Sequence, residues 1–219
     1  MIENQSYLSN DEYLITPSLI NSWLYIWQCE EHVKESEKDT ICLEDKKQDA
    51  RKKAFDDFIK TLKREPFETN QYMQAGIDFE EECYNGNVEE VSPIIEGGIF
   101  QMVGKKHVVV NGIKLLMYGR LDVLKGGVIY DIKKVIRYAP QKYLKSSQHP
   151  FYLELFRNAN KFVYLVHDTK LHKETYYRDE CESIYVIISN FLNWLIATDY
   201  EGVSLIKIYQ EYWKSKGEK

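Results

Sequence analysis

The stretch Gly119-Arg120-Leu121-Asp122, followed by Tyr130-Asp131-Ile132-Lys133 and then by Gln148-His149-Pro150-Phe151-Tyr152, decides how this chain is read. It sets two carboxylates, an ammonium and a carboxamide in order along a hairpin and a helix. Val128 to Val135 reads as a strand, and alternation there sends Asp131 and Lys133, two residues apart, to one face. Ile113 to Leu124 is an apolar run broken at Gly119 and closed by Gly126-Gly127, a turn pair that leads into the next strand. Such a hairpin brings Asp122 beside Asp131.

Those residue types in that order suit metal-assisted chemistry. Mg²⁺ prefers oxygen ligands and keeps several waters, so one or two carboxylates and a substrate phosphate suffice to hold it. Asp122 and Asp131 can supply the carboxylates. Lys133 is placed to orient the attacking water or to neutralise charge on the phosphoryl oxygens. The expected reaction is hydrolysis of a phosphodiester. Each fragment alone has an ordinary explanation, since an Asp-x-Lys on a strand is usually a solvated edge. Their succession carries the reading, together with Gln148 and Tyr152 one helical turn apart on a shared face.

The pattern resembles the PD-(D/E)XK nuclease superfamily and, within it, the RecB-like and phage-type exonuclease branch. There a Gly-x-x-Asp motif precedes an Asp/Glu-x-Lys motif, and a Gln-x-x-x-Tyr motif follows on a helix. Here these are Gly119 to Asp122, Asp131 to Lys133 and Gln148 to Tyr152. An upstream helix with Gly76 and, four residues on, Glu80 fits the branch's third acid, and Thr16 to Tyr25 looks like its opening helix, so the resemblance spans about 16 to 156. It implies an α/β restriction-endonuclease-like core of helix, three-stranded antiparallel meander, helix and strand, with extra N- and C-terminal helices. It implies Mg²⁺ or Mn²⁺ held by Glu80, Asp122, Asp131 and the Ile132 backbone carbonyl. Lys133 would assist the nucleophile, and Gln148 and Tyr152 would approach the site and the nucleic acid. The implied enzyme is a deoxyribonuclease of phage, prophage or DNA-repair type. Its partner is DNA, and any helicase or recombination protein is a separate chain.

Some members of the superfamily hold an iron-sulfur cluster with one early and three clustered late cysteines. This chain departs from that pattern: Cys29, Cys42, Cys83 and Cys181 contain no C-x-x-C pair and leave one cysteine after the core. No cluster is expected.

At 219 residues, 44% hydrophobic and 29% charged, the chain suits one globular domain spanning 1–219. No apolar stretch is long enough for a membrane span, no signal pattern opens the chain, and an intracellular, soluble protein is expected. The net charge of −5 argues against a uniformly basic surface. Locally Lys133, Lys134, Arg137, Lys142 and Lys145 gather after the key strand, interleaved with Tyr138 and Tyr143, where a phosphate backbone would approach; a solvated face is the ordinary alternative.

Helices are expected over Pro17 to Glu30 with Thr16 as cap, Gln48 to Lys63, Gln71 to Tyr84, from near Ser147, and Ile184 to Ala197. Residues 32 to 50 read as an exposed insertion and 179 to 219 as helices closing the core, sealed by Trp194, Leu195, Tyr209 and Trp213. Strands are expected over Ile94 to Val103, His107 to Val110, Ile113 to Leu124 and Lys161 to His167. The competing readings are a nuclease fold kept as an inactive module that binds nucleic acid or inhibits a partner protein, and a metal phosphatase for small esters, which nothing in the sequence favours.

Overall fold

The computed structural model describes residues 11–32, 40–66 and 68–215. It is a mixed α/β protein. In chain order the elements are β1 (Glu12–Ile15), α1 (Pro17–Gln28), α2 (Thr40–Leu62), α3 (Gln71–Tyr84), α4 (Ser92–Ile95), β2 (Ile99–Phe100), β3 (Val103–Val110), β4 (Ile113–Arg120) and β5 (Val123–Lys125). They continue with β6 (Val128–Lys134), α5 (Gln148–Leu155), β7 (Lys161–His167), β8 (Leu171–Tyr177), α6 (Ile184–Ala197), β9 (Asp199–Tyr200), β10 (Val203–Ser204) and α7 (Leu205–Tyr212). The described chain divides into two compact units, 1–66 with 107–117 and 185–219, and 67–106 with 118–184. The boundary falls within β3 and β4.

In the first unit the Thr16 side chain accepts from the Leu19 amide at 3.3 Å and Pro17 occupies the first turn, which fixes the start of α1. Leu19, Ile20 and Trp23 of α1, Phe58 and Leu62 of α2, and Phe191, Leu192 and Leu195 of α6 are buried. Aromatic edges join them: Trp23 lies 5.5 Å from Phe191 and Phe58 lies 5.4 Å from Trp194. Tyr209 and Trp213 keep partners for their polar ends, Tyr209 Oη donating to the Leu14 carbonyl at 2.9 Å and Trp213 Nε1 to that of Leu62 at 2.8 Å. These aromatics pack with α1 and α2 and with one another inside this first unit. β1 runs parallel to β4 with Glu12 opposite Lys114.

The second unit is built on a five-stranded sheet in the order β2-β5-β6-β7-β8. The pairs are antiparallel except β6 with β7, where α5 provides the crossover that parallel strands require. Alternation along β6 and β7 sorts the core into two layers. Ile129, Phe162, Tyr164 and Val166 pack with Tyr152 and Leu153 from α5 and with Phe156 just after it, whereas Val128, Ile132, Val163 and Leu165 pack with Cys83 of α3 and with Ile95.

Several expected boundaries shift for physical reasons. α2 begins at Thr40, because the polar residues before Gln48 are good helix formers without Gly or Pro, and those from 44 to 53 lie on its largely exposed part. Residues 33–39 of the expected insertion lie outside the described residues. Ile94 is helical rather than extended, since Pro93 suits a first helical turn, and Gly97 with φ of 74° then turns the chain. The single strand expected over Ile113 to Leu124 divides at Leu121-Asp122, where Leu121 N bonds the Met102 carbonyl at 3.0 Å. β1 and β8 are strands without an earlier expectation.

Candidate active site

The site lies along an open edge of β6. β5 pairs with β6 only from Val123 opposite Tyr130 to Lys125 opposite Val128, so β6 beyond Tyr130 has no strand on that side. Asp122 fills the gap: its Oδ2 accepts from the Ile132 amide at 2.8 Å. In an extended strand a residue's N–H and C=O project to the same edge, so the Ile132 carbonyl faces the same opening. Asp131 and Lys133 project to the α5 face, as alternation requires.

Helix α5 supplies the next two residues. It starts at Gln148 with Ser147 at the cap position, and Pro150 sits in its first turn, where a missing N–H costs nothing. Gln148 Nε2 donates to Asp131 Oδ1 at 3.0 Å. One turn later Tyr152 Oη donates to the Arg120 carbonyl at 2.8 Å. The Tyr152 ring lies so close to Gly119 that a Cβ there would sit 2.7 Å from Tyr152 Cε1, and Gly119 is therefore the residue that admits the ring. The three sequence motifs are thus one packed unit: α5 rests on the strand before Asp122 through Tyr152 and holds Asp131 through Gln148.

Burial gives these carboxylates unusual chemistry. Asp131 is 3% exposed. Its Oδ2 lies 2.6 Å from Lys133 Nζ as an ion pair, yet it accepts no well-directed hydrogen bond. Burial raises the Asp131 carboxyl above its ordinary value, against the pull of the Lys133 ammonium. Asp122 is pushed up to about 8, first by burial and then by the Asp131 charge, with Glu80 adding a smaller push. Burial works against the Lys133 charge, but Asp131 and Asp122 hold it protonated above the usual lysine range. A buried carboxylate paired with an ammonium, beside a second crowded carboxylate and a backbone carbonyl, is a hard-oxygen donor set of the kind that takes Mg²⁺ or Mn²⁺.

Glu80 stands apart from this pair in its bonding. Its Oε1 accepts from Tyr84 Oη and from Gln101 Nε2, the latter at 2.7 Å, and its Oε2 carries no hydrogen bond among the described residues. Among the described residues no three His, Cys, Asp or Glu side chains form a preassembled metal cage. Gln101 and Tyr84 are site residues the sequence reading missed. Gln101 holds φ at 53°, a left-handed conformation costing roughly 1–3 kcal/mol in a residue with a Cβ. Its amide bonds the Asp122 carbonyl at 2.9 Å while its side chain reaches Glu80, so one residue ties α3 to the strand carrying Asp122. A glutamine after an apolar strand carries no motif, and only the preceding Gly97-Gly98 turn marked the place.

The segment from Val135 to Ser147 joins Lys133 to Gln148. Asp168 pins it: Oδ2 accepts from the Tyr138 amide at 3.1 Å and Oδ1 from the Lys170 amide at 3.1 Å. These bonds hold the Asp168 carboxyl well below the carboxylate range. Tyr138 stacks on His172 at 4.1 Å and Tyr143 on Tyr164 at 4.4 Å. Of the expected cations, Lys134 is engaged by His167 and the Asp168 carbonyl, while Arg137, Lys142 and Lys145 project from an exposed part of the segment.

No protein-family model and no curated protein matches this chain. Solved structures do match it. SSO0001 covers 88% of this chain with 80% of its own length, at a TM-score of 0.50 and 13% identity. The chain is similar in fold to SSO0001. A protein from Eubacterium rectale, provisionally named an exonuclease, covers 88% of this chain with 81% of its own at 16% identity, and its TM-score of 0.38 leaves it outside the argument. Among the described residues no helix is long and apolar enough to cross a membrane.

Proposed function

We propose that this chain is a divalent-metal-dependent nuclease of PD-(D/E)XK type that hydrolyses phosphodiester bonds in DNA, with exonuclease action as the form that the family resemblance implies. The observation that carries the reading is the buried Asp131 carboxylate. It is fixed by Gln148 on one oxygen, paired with Lys133 on the other without a directed hydrogen bond, and set beside Asp122 at an open strand edge. Asp122, Asp131 and the Ile132 carbonyl are the residues that would hold the cation, with Glu80 Oε2 as a further oxygen on the α3 side. A bound divalent cation supplies Lewis acidity at a phosphoryl oxygen and raises the acidity of water.

The chain's own residues do the rest. Gln148 fixes the Asp131 carboxylate plane, and Tyr152 fixes α5 and hence Gln148. The Lys133 ammonium stands where charge develops on phosphoryl oxygens and stabilises it in a partly buried setting, where such an interaction exceeds its strength in water. Arg137, Lys142 and Lys145 are suited to the backbone phosphates leading away from the scissile bond.

The test is incubation of the purified protein with end-labelled linear DNA and Mg²⁺, beside Lys133→Ala and Asp131→Ala. Cleavage by the wild type, lost by about a hundredfold or more in both variants, is the expected result. DNA binding without cleavage at any divalent ion would overturn the reading in favour of an inactive binding module.

A further inference from the structure

Beside the acid cluster the second unit carries a cleft of about 520 Å³, within the range of small-ligand sites. Tyr84 belongs to both places: its ring lines the cleft, and its hydroxyl donates to Glu80, whose charge is felt at Asp122. Phe100 lines it from the edge strand β2, with its ring 4.9 Å from that of Tyr84 at 61° and 39% of its surface exposed. A large aromatic left this open at a cleft wall offers a face for a flat apolar group. Pro93 and Ile95 add apolar lining.

The charged lining has one sign. Glu89 and Glu96 are exposed carboxylates with no ionic partner among the described residues, and no lysine or arginine lines the cleft. Phosphate is therefore repelled from it. What fits is a flat ring that stacks on an aromatic and presents N–H donors at its edge to a carboxylate. A nucleobase with an exocyclic amine has that shape and chemistry, and Asp and Glu accept from such amines in base recognition.

We propose that this cleft holds the base of a nucleotide next to the scissile phosphate and favours amine-bearing bases (cytosine, adenine, guanine) over thymine. The inference rests on the nuclease reading, because it is the Tyr84–Glu80 link that sets the cleft one side chain from the reacting centre. Phe100 supplies the stacking face, and Glu89 and Glu96 accept from the amine. Thymine offers a carbonyl where the carboxylates need a donor, so it is disfavoured.

The test maps cut sites on random-sequence end-labelled DNA with Mg²⁺ and the full chain. Thymine is expected to be depleted about fivefold or more at one position flanking the cut. Phe100→Ala and the double variant Glu89→Gln/Glu96→Gln are expected to remove that bias while cleavage continues. A wild type without base bias, or a bias unchanged in both variants, overturns the proposal. A second measurement separates it from the nuclease reading: irradiation of the protein with an oligonucleotide bearing 5-iododeoxycytidine. An adduct on the Tyr84 or Phe100 peptide supports the cleft even where no cleavage is seen, and adducts confined to other peptides, or none, refute it.

Discussion

Replacing Gly119 with alanine tests the claim that the sequence motifs form one packed unit. The new Cβ would lie 2.7 Å from Tyr152 Cε1 and 3.3 Å from Leu155 Cδ1, whereas carbon atoms rest at about 3.5–4.0 Å, so the ring must retreat by about 1 Å. It has little room to do so. Tyr152 is 6% exposed, lies parallel to the fully buried Phe162 with ring centroids 6.1 Å apart, and is tethered to the Arg120 carbonyl. Overpacking of this kind costs about 1–3 kcal/mol, and losing the tether adds about 1 kcal/mol. Against this, removing a glycine from the unfolded chain returns about 0.4–1 kcal/mol. The net expectation is a loss of about 1–3 kcal/mol.

Urea unfolding of wild type, Gly119→Ala, Tyr152→Leu and the double variant forms a double-mutant cycle that isolates the contact. If the ring is what alanine strikes, the double variant should be more stable than the sum of the single effects by about 1 kcal/mol or more. Additivity within about 0.5 kcal/mol, or a Gly119→Ala protein as stable as wild type, would refute the packing argument.

Two pH and metal responses follow from the buried groups. His149 is 5% exposed, stacks on Tyr176 at 4.1 Å, and burial lowers its pKa to about 4. Below about pH 6.5 the unfolded chain takes up a proton that the folded one refuses, so stability is lost as pH falls from about 6.5 to 4, by about 3 kcal/mol in all. Chemical denaturation across that window should show the slope, and His149→Phe should flatten it. Asp122 acts in the opposite sense: its raised pKa means that without metal the folded state loses stability as pH rises from about 4 to about 8. Asp122→Asn should remove that decline in chelator, and millimolar Mg²⁺ should raise the thermal midpoint of wild type at pH 8 but not that of the variant. An equal Mg²⁺ shift in both would mean that the ion binds elsewhere.

What the sequence made legible was what local chemistry controls. Thr16-Pro17 fixed one helix start through a side-chain cap, and Pro150 in the first turn fixed another, because capping and a missing N–H act within a turn. Alternation placed Asp131 and Lys133 together, and the Gly126-Gly127 turn set Asp122 opposite them. Long-range choices were hidden. That Glu80 Oε1 faces Tyr84 and Gln101 depends on where α3 docks, and no spacing in the sequence states it. The same holds for the break at Leu121-Asp122, which forms because Met102 and Gln101 bond it from a separate segment. β8 escaped notice because Leu171 to Tyr177 mixes charges with apolar residues, as an edge strand can, and its pairing with β7 is settled only by the assembled sheet.

The energetics of residue 131 argue for chemistry rather than architecture. A side chain 3% exposed on the α5 face, flanked in its layer by Ile129, Phe162 and Tyr164, occupies a position that an apolar residue would stabilise. Asp131 instead buries a carboxylate whose charged form burial disfavours, and raises the pKa of a second carboxylate beside it. Lys133 relieves part of that cost, but its ammonium is itself partly withdrawn from water to do so. Gln148 spends an amide donor on the same carboxylate. Two polar side chains, one from a strand and one from a helix, are thus committed to keeping one destabilising charge in a fixed orientation at an open strand edge. A cost of this kind persists where a site needs a preoriented charge, and the crowding of Asp131 against Asp122 marks the place where a cation would relieve it.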